Sequence, residues 1–136
     1  MKVLVDTSVW SLALRRGSSA QSEKVKELCE LIKEVRVDII GPIRQEILSG
    51  IKSAKQFEKL KSYLAEFPDL PLETADYETA AGFYNTNRKK GIQGSNTDFL
   101  ICAVACNRDM EIFTTDRDFR RFEKNIPVKL HAPRAF

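Results

Sequence analysis

The sequence has little of what several classes of protein require. Its 136 residues include one histidine and three cysteines, and no two cysteines form a Cys-x-x-Cys pair. An odd, scattered set of cysteines argues against a disulfide framework. The longest apolar run, residues 99–106, is far too short to span a bilayer. The N-terminus also lacks the apolar segment of a secretory signal, so we expect a cytoplasmic protein with no membrane attachment.

Missing motifs narrow the possible chemistry further. Ribonucleases that work without metal commonly use histidines as acid and base, but His131 stands alone, which favours a structural or an exposed histidine over a catalytic one. No base accompanies Ser8 as a nucleophile, and there is no glycine-rich Walker sequence. Asp6 lacks the second acid, two residues on, of an Asp-x-Asp phosphatase. Cys102 and Cys106 share a helix face with no further ligand nearby, so we interpret them as buried small hydrophobic residues.

Composition and charge indicate one ordinary globular domain, residues 1–136. Hydrophobic residues make up 43% and charged residues 30% of the chain, which is long enough to bury a core without disulfides. The net charge of +3 is mild. Basic residues cluster at 15–16, 88–90 and 117–121, each near a loop or a helix end. Each cluster alone is typical of a solvated surface, whereas several on one face would suit a polyanion.

Short aliphatic segments alternate with amphipathic ones along the chain. The aliphatic segments predict five strands, at residues 3–5, 37–40, 70–72, 111–115 and 128–131, the last at an edge because a proline precedes it. Between them, apolar spacing predicts helices over 7–14, 43–51, 53–66, about 77–90 and 96–107. This alternation predicts a three-layer α/β/α sandwich around a central, mainly parallel sheet of about five strands.

Three details of the helices are also predicted. Thr7 or Ser8 is placed to cap the first helix, and Asn96 or Thr97 the helix over 96–107. That later helix is apolar nearly all round, which is typical of a central, buried helix. A further helix after 18–22 carries one apolar stripe, formed by Val25, Leu28, Ile32 and Val35.

Four acids occupy equivalent places in this pattern. Asp6 follows the first strand, Glu46 lies one turn into the helix after the second, Asp98 opens the buried helix, and Asp116 follows the fourth strand. Each one alone is explained as a capping or strand-end residue. Together they belong to one rim, because ligands of an open α/β sheet bind outside the carboxyl ends of its strands. The four acids are therefore predicted to line one pocket.

Converging carboxylates require a neutralising partner. Two carboxylates 4 Å apart repel by roughly 1 kcal/mol in water and about 4 kcal/mol at an effective dielectric of 20. Either some of the acids are protonated, or a cation binds them. Oxygen ligands without histidine or thiolate favour Mg²⁺ or Mn²⁺ over zinc. Such an ion can activate water for phosphodiester cleavage.

The ordered set of motifs resembles the PIN-domain nucleases, and within them the VapC-like toxins of toxin–antitoxin pairs. The motifs are Val3-Leu-Val-Asp-Thr-Ser-Val-Trp10, Glu46 after Gly41-Pro42, Asn96-Thr-Asp98 and Thr114-Thr-Asp-Arg-Asp-Phe119. The resemblance covers essentially the whole chain. It implies a divalent-metal-dependent endoribonuclease whose acidic quartet is Asp6, Glu46, Asp98 and Asp116. In our hypothesis the first three hold one Mg²⁺ or Mn²⁺, and Asp116 helps to hold a second ion or a metal-bound water. Thr7, Ser8, Thr114 and Asp118 match supporting positions.

Glu46 is placed by spacing alone, and Glu73 and Asp76 are less attractive substitutes for it. The resemblance also implies a homodimer and an antitoxin partner, with Trp10 and Leu14 as candidates for contact, although Trp10 suits the core equally well. Arg15, Arg16 and Arg117 are candidates to steer the RNA backbone. Two alternative functions stay open. One is RNA processing without an antitoxin, and the other is a non-catalytic module that binds RNA or protein.

Overall fold

The computed structural model describes residues 1–14 and 22–136, in which four parallel strands are flanked by helices. The elements in chain order are β1 (Val3–Val5), α1 (Thr7–Leu14), α2 (Glu23–Lys33), β2 (Val37–Asp38), α3 (Gly41–Leu48), α4 (Ala54–Leu64), α5 (Thr74–Lys89), α6 (Asn96–Asn107), β3 (Glu111–Phe113), α7 (Asp118–Phe122) and β4 (Lys129–Leu130). The strand order is β2-β1-β3-β4 and every pair is parallel. The predicted α/β fold is confirmed, with β4 at an edge as expected.

The predicted strand over 70–72 is reduced to a single bridge. Ile39 pairs with Asp69 in parallel, and Leu70 N–H donates to Ile39 C=O at 2.9 Å, but no ladder continues. Pro68 and Pro71 flank this bridge and lack the N–H that a longer ladder would need. The sheet among the described residues therefore has four strands, one fewer than the sequence predicts.

Burial follows the predicted core closely. All three residues of β1 are fully buried, and α6 buries seven consecutive residues from Phe99 to Ala105, so its predicted central position is confirmed. Trp10 is also fully buried and packs edge-on against Phe67, with ring centroids 5.2 Å apart. Of its two predicted roles, Trp10 takes the one in the core. Cys102 is buried as predicted, whereas Cys106 is half-buried.

Two local predictions were wrong. The stripe on α2 uses Leu31 in place of Val35, because the helix ends at Lys33. Val35 lies beyond that end in the left-handed region, with φ of 55°, and is 75% exposed. The cap of α6 is Ser95, whose Oγ accepts from Asp98 N–H at 3.0 Å, rather than Asn96 or Thr97. Ser95-x-x-Asp98 is a capping box and was readable as one from the sequence.

Candidate metal centre at the carboxyl edge of the sheet

The parallel pairing of β1 and β3 brings two distant segments together at one edge of the sheet. Val5 is in register with Phe113, and Asp6 N–H donates to Phe113 C=O at 2.9 Å, so Asp6 lies beside Thr114 just beyond the ladder. The Asp6 side chain, on a residue only 5% exposed, turns towards this segment. The edge predicted to collect acids thus carries Asp6 from one strand and the Thr114–Asp116 segment from the next.

Two hydroxyl groups hold the Asp6 carboxylate through one of its oxygens. Ser8 Oγ and Thr114 Oγ1 donate to Asp6 Oδ2 at 2.8 and 2.7 Å. Thr115 N–H in turn donates to Ser8 Oγ at 3.0 Å, which joins the start of α1 to the segment after β3. Ser8 therefore supports an acid and does not cap α1, contrary to that prediction. Asp6 is oriented with its second oxygen free of these donors.

The three other acids are each held in the same one-sided manner. Thr7 Oγ1 donates to Glu46 Oε1 at 2.8 Å, so Thr7 also orients an acid. Ser95 N–H donates to Asp98 Oδ2 at 3.1 Å, and Asp118 N–H donates to Asp116 Oδ1 at 2.9 Å. Among the described residues, the second oxygen of every one of the four carboxylates accepts no hydrogen bond. Oriented carboxylates with one open oxygen each fit a hard divalent cation.

Electrostatics links three of these acids directly. Burial raises the pKa of Asp98 above its ordinary value, and the charges of Asp6 and Asp116 raise it further against the Ser95 hydrogen bonds. The thiol of Cys102 behaves in the same way: burial, then the charges of Asp98 and Asp6, hold its pKa well above the usual range. Negative charge therefore accumulates at this rim, and Cys102 beneath it stays a neutral thiol.

The acids line one rim without closing around a single point. In residues 1–14 and 22–136, no three acidic, histidine or cysteine side chains lie close enough to share an ion as they stand. Glu46 is the exposed member of the four, and it is connected to the start of α1 through Thr7. Repulsion between like charges favours such a spread. The rim thus has the donor chemistry of a Mg²⁺ or Mn²⁺ site, although not a completed coordination sphere.

The remaining acids from the sequence are engaged elsewhere. Asp118 pairs through its carboxylate with Arg121 at 2.8 Å, so it serves Asp116 through its backbone N–H only. Asp76 pairs with Arg108 near the far end of α6 from Asp98. Arg108 holds the pKa of Asp76 down to about 2. Asp76 is therefore no substitute for Glu46.

His131 lies in a charged network that the sequence did not predict. Its Nε2 lies 2.5 Å from Glu27 Oε2 and its Nδ1 lies 2.7 Å from Glu111 Oε1. Arg134 Nε also donates to Glu27 at 2.6 Å. Burial raises the pKa of Glu27, but the hydrogen bonds from His131 and Arg134 together bring it below its ordinary value. This network ties the segment after β4 to α2, and His131 has the structural role expected of it.

With this geometry in place, comparison with known proteins decides the family. The model of the PIN domain family matches residues 3–125. The chain belongs to the PIN domain family. PIN domains are nucleases, so membership of this family supports a hydrolase activity for the chain. Among curated proteins, none matches the chain.

Solved structures show the same fold over nearly the full length of this PIN domain. FitAcB from Neisseria gonorrhoeae has a TM-score of 0.77 and 22% identity, over 96% of this chain and 97% of its own. VapBC2 from Rickettsia felis, bound to a promoter DNA fragment, has a TM-score of 0.78 and 17% identity over 96% and 98%. DNA-bound VapBC from Salmonella typhimurium has a TM-score of 0.76 and 17% identity, over 96% of this chain and 97% of its own. At these identities the likeness establishes the fold.

Proposed function

We propose that this PIN domain is a divalent-metal-dependent endoribonuclease and the toxin of a toxin–antitoxin pair. One observation carries the nuclease part. Four carboxylates at the carboxyl edge of the sheet are each fixed through one oxygen and open at the other, as described above. The charges of two of these acids, Asp6 and Asp116, also help burial to raise the pKa of a third, Asp98. A hard cation bound at such a rim would neutralise this repulsion and fill the free oxygen positions.

The chain's own residues would orient the acids. Asp6, Glu46 and Asp98 would hold one Mg²⁺ or Mn²⁺, with Asp116 beside a second position. A bound divalent cation supplies Lewis acidity, which eases deprotonation of the attacking water and stabilises negative charge on the phosphate. Ser8 and Thr114 both donate to Asp6 Oδ2, which leaves Asp6 Oδ1 free of these donors. Loss of such supporting donors typically lowers metal affinity or activity by about 10- to 100-fold.

RNA cleavage under controlled metal tests this proposal. We expect the chain to cleave a long mixed-sequence RNA with Mg²⁺ or Mn²⁺, to stop in EDTA, and to resume when excess metal is added. The Asp98→Asn variant should lose about three orders of magnitude in rate, because a ligand worth several kcal/mol is removed. Asp109→Asn is the matched control, since Asp109 is exposed and pairs only with Lys129 at 2.7 Å.

Two outcomes would contradict the proposal. Cleavage that persists in EDTA would rule out metal-dependent chemistry, and full activity of Asp98→Asn would remove the acid from the site. RNA binding without turnover under any divalent metal would instead favour the non-catalytic binding module. DNA cleavage in place of RNA cleavage would keep the nuclease but change its substrate.

An antitoxin partner is supported by the structural neighbours. Several are toxin–antitoxin complexes, including one from Klebsiella pneumoniae with a TM-score of 0.67 and 18% identity. In this chain, a cavity of about 630 Å³ is lined by the apolar Leu14 and Ile51 and by Lys52, Lys55 and Lys59. A lining with both apolar and basic side chains suits an amphipathic segment with acidic residues. A short upstream reading frame encoding a DNA-binding protein would favour the toxin over RNA processing without an antitoxin.

Two further parts of the proposal concern assembly and location, and of these the homodimer rests on the resemblance. We place the chain in the cytoplasm as a homodimer. No helix among the described residues is both long and apolar enough to cross a membrane. Of the arginines expected to steer RNA, Arg15 and Arg16 lie outside the described residues.

A further inference from the structure

A cleft begins where the acidic rim ends. It has a volume of about 850 Å³ and is lined by the Thr114–Asp116 segment, the residues just after β4, the outer face of α7 and the start of α2. Thr114 and Asp116 belong to both the cleft and the candidate metal centre. The volume lies in the upper part of the usual range for ligand pockets, about 300–1,000 Å³. A chain bound at the acids can therefore continue into this cleft.

Three exposed cations line the cleft without partners in the described part of the chain. They are Lys24 from α2, Arg117 preceding α7 and Arg120 within α7. Neighbouring cations differ, since Arg121 pairs with Asp118 at 2.8 Å and Lys129 with Asp109 at 2.7 Å. Cations left unpaired on one cleft favour a polyanionic ligand.

The other charged groups of the lining do not cancel these cations. Asp116 belongs to the metal centre, and His131 is held between Glu27 and Glu111 below the surface. Glu123 is the remaining acid; it lies at the C-terminal end of α7 and forms no ion pair with Arg117 or Arg120 in the described part of the chain.

The described lining of the cleft offers no platform on which a base could stack. Its one aromatic ring, Phe113, is 1% exposed and packs edge-on against His131 with ring centroids 5.3 Å apart. No exposed aromatic ring lies in the part of the cleft that the structure describes. Without a stacking platform, binding here depends on phosphates and is independent of sequence.

We propose that this cleft binds the phosphate backbone of single-stranded RNA on one side of the cleavage point, through Lys24, Arg117 and Arg120. The assignment rests on the proposed ribonuclease function. It adds a specific path for the RNA strand. Positioning residues from α2 and from α7 with its preceding residue contact the same phosphate backbone, although Lys24 and Arg117 are 93 positions apart in the sequence. It also adds a consequence: this half of the binding site tolerates any base.

RNA binding in EDTA, where hydrolysis is prevented, tests the cleft separately from catalysis. We expect the double variant Arg117→Ala/Arg120→Ala to weaken binding of a uridine oligonucleotide at least ten-fold. Its slope of log K against log salt should fall by about 1.4, since each phosphate contact on a single strand contributes about 0.7. An adenosine oligonucleotide of equal length should lose the same factor. Lys24→Ala should reduce the slope by about 0.7.

The matched control is Arg121→Ala/Lys124→Ala, which removes two exposed charges that do not line the cleft. It should leave affinity within about two-fold and the salt slope nearly unchanged. Under Mg²⁺, the Arg117/Arg120 variant should raise KM with kcat within about two-fold. A glutamine pair at the same positions replaces it if the alanine pair lowers the thermal midpoint.

Two results would contradict the proposed role of the cleft in RNA binding. One is equal loss of binding in the test and control pairs, and the other is an unchanged salt slope in the Arg117/Arg120 variant. If wild type cleaves RNA but the cleft variants bind RNA as wild type does, the proposed role of the cleft is wrong and the ribonuclease proposal is retained. If the variants lose binding as expected but no divalent metal supports cleavage by wild type, the role of the cleft is retained and the ribonuclease proposal is wrong.

Discussion

Replacing Asp6 by asparagine is expected to lower the rate of RNA hydrolysis about a thousand-fold while raising the stability of the metal-free protein. The rate falls because a neutral amide is a poor ligand for Mg²⁺, and the lost transition-state stabilisation is about 4 kcal/mol. Stability rises because the charge of Asp6 no longer opposes that of Asp98, whose pKa it helps to raise. Relief of about 1 kcal/mol corresponds to a thermal midpoint about 3 °C higher in EDTA.

The substitution preserves the local hydrogen bonds. Asparagine keeps one carbonyl oxygen, which can accept from Ser8 and Thr114 as Asp6 Oδ2 does. Asp109→Asn removes an exposed acid far from the rim and should alter neither rate nor midpoint appreciably. A lower midpoint for Asp6→Asn in EDTA would contradict the predicted relief of repulsion between Asp6 and Asp98. An unchanged rate would show that it is not a ligand.

Replacing Asp76 by asparagine is expected to cost about 2–3 kcal/mol of the free energy of unfolding, or roughly 9 °C in thermal midpoint. The Asp76 side chain is 3% exposed and accepts from Arg108 at 2.8 and 3.0 Å, from Asn107 at 3.1 Å and from Glu73 N–H at 2.8 Å. The variant leaves the Arg108 charge unpaired. The cost is kept below that of a fully buried pair because the Arg108 side chain is 26% exposed.

Low pH should remove the difference in stability between wild type and Asp76→Asn. Arg108 holds the folded-state pKa of Asp76 at about 2, below the ordinary value of 3.8. A lowered pKa stabilises the fold above pH 4, and this contribution is lost as the pH falls through about 2. Thermal midpoints of wild type and Asp76→Asn should therefore converge between pH 4 and pH 2. A gap that stays constant over this range, or a loss no larger than that of Asp109→Asn, would contradict the assignment.

The position of the acidic rim could be predicted because it depends on very little structure. Carboxyl ends of parallel strands lie at one edge whatever the strand order, so Asp6 and Asp116 had to lie at the same edge once the sheet was parallel. Asp98 followed because a buried helix must begin at that edge to pack along the sheet. The ligand roles of these acids stay predictions, since position alone does not establish metal binding.

The hydroxyl groups that hold Asp6 could be named from the resemblance but not placed. Ser8 and Thr114 are 106 residues apart, and only the register of β1 with β3 brings them to the same carboxylate oxygen. The order β2-β1-β3-β4 has no signal in short strands of similar composition. Packing between distant elements determines both the strand order and the position of these hydroxyl groups. The local sequence pattern carries no information about that packing.

Charges buried by tertiary packing were missed for the same reason. Glu27 lies on an amphipathic helix among surface-type residues, yet it is 1% exposed because His131 and Arg134 reach it from beyond β4. Lys24 joins the cleft only through that same packing of α2. Val35 shows the opposite error: its spacing suited the apolar stripe, but the helix ended two residues earlier.

We propose that Asp6, Glu46 and Asp98, at the carboxyl edge of the sheet, hold one divalent cation. The decisive measurement is thermal unfolding over a range of Mg²⁺ and Mn²⁺ concentrations, for wild type and for Asp6→Asn. At a metal concentration 100 times the Kd, binding adds about 2.7 kcal/mol to the free energy of unfolding, so the wild-type midpoint should rise by about 9 °C. The variant should need a far higher metal concentration for any rise. A wild-type midpoint that does not move at saturating metal, or an equal rise in both proteins, would contradict the claim.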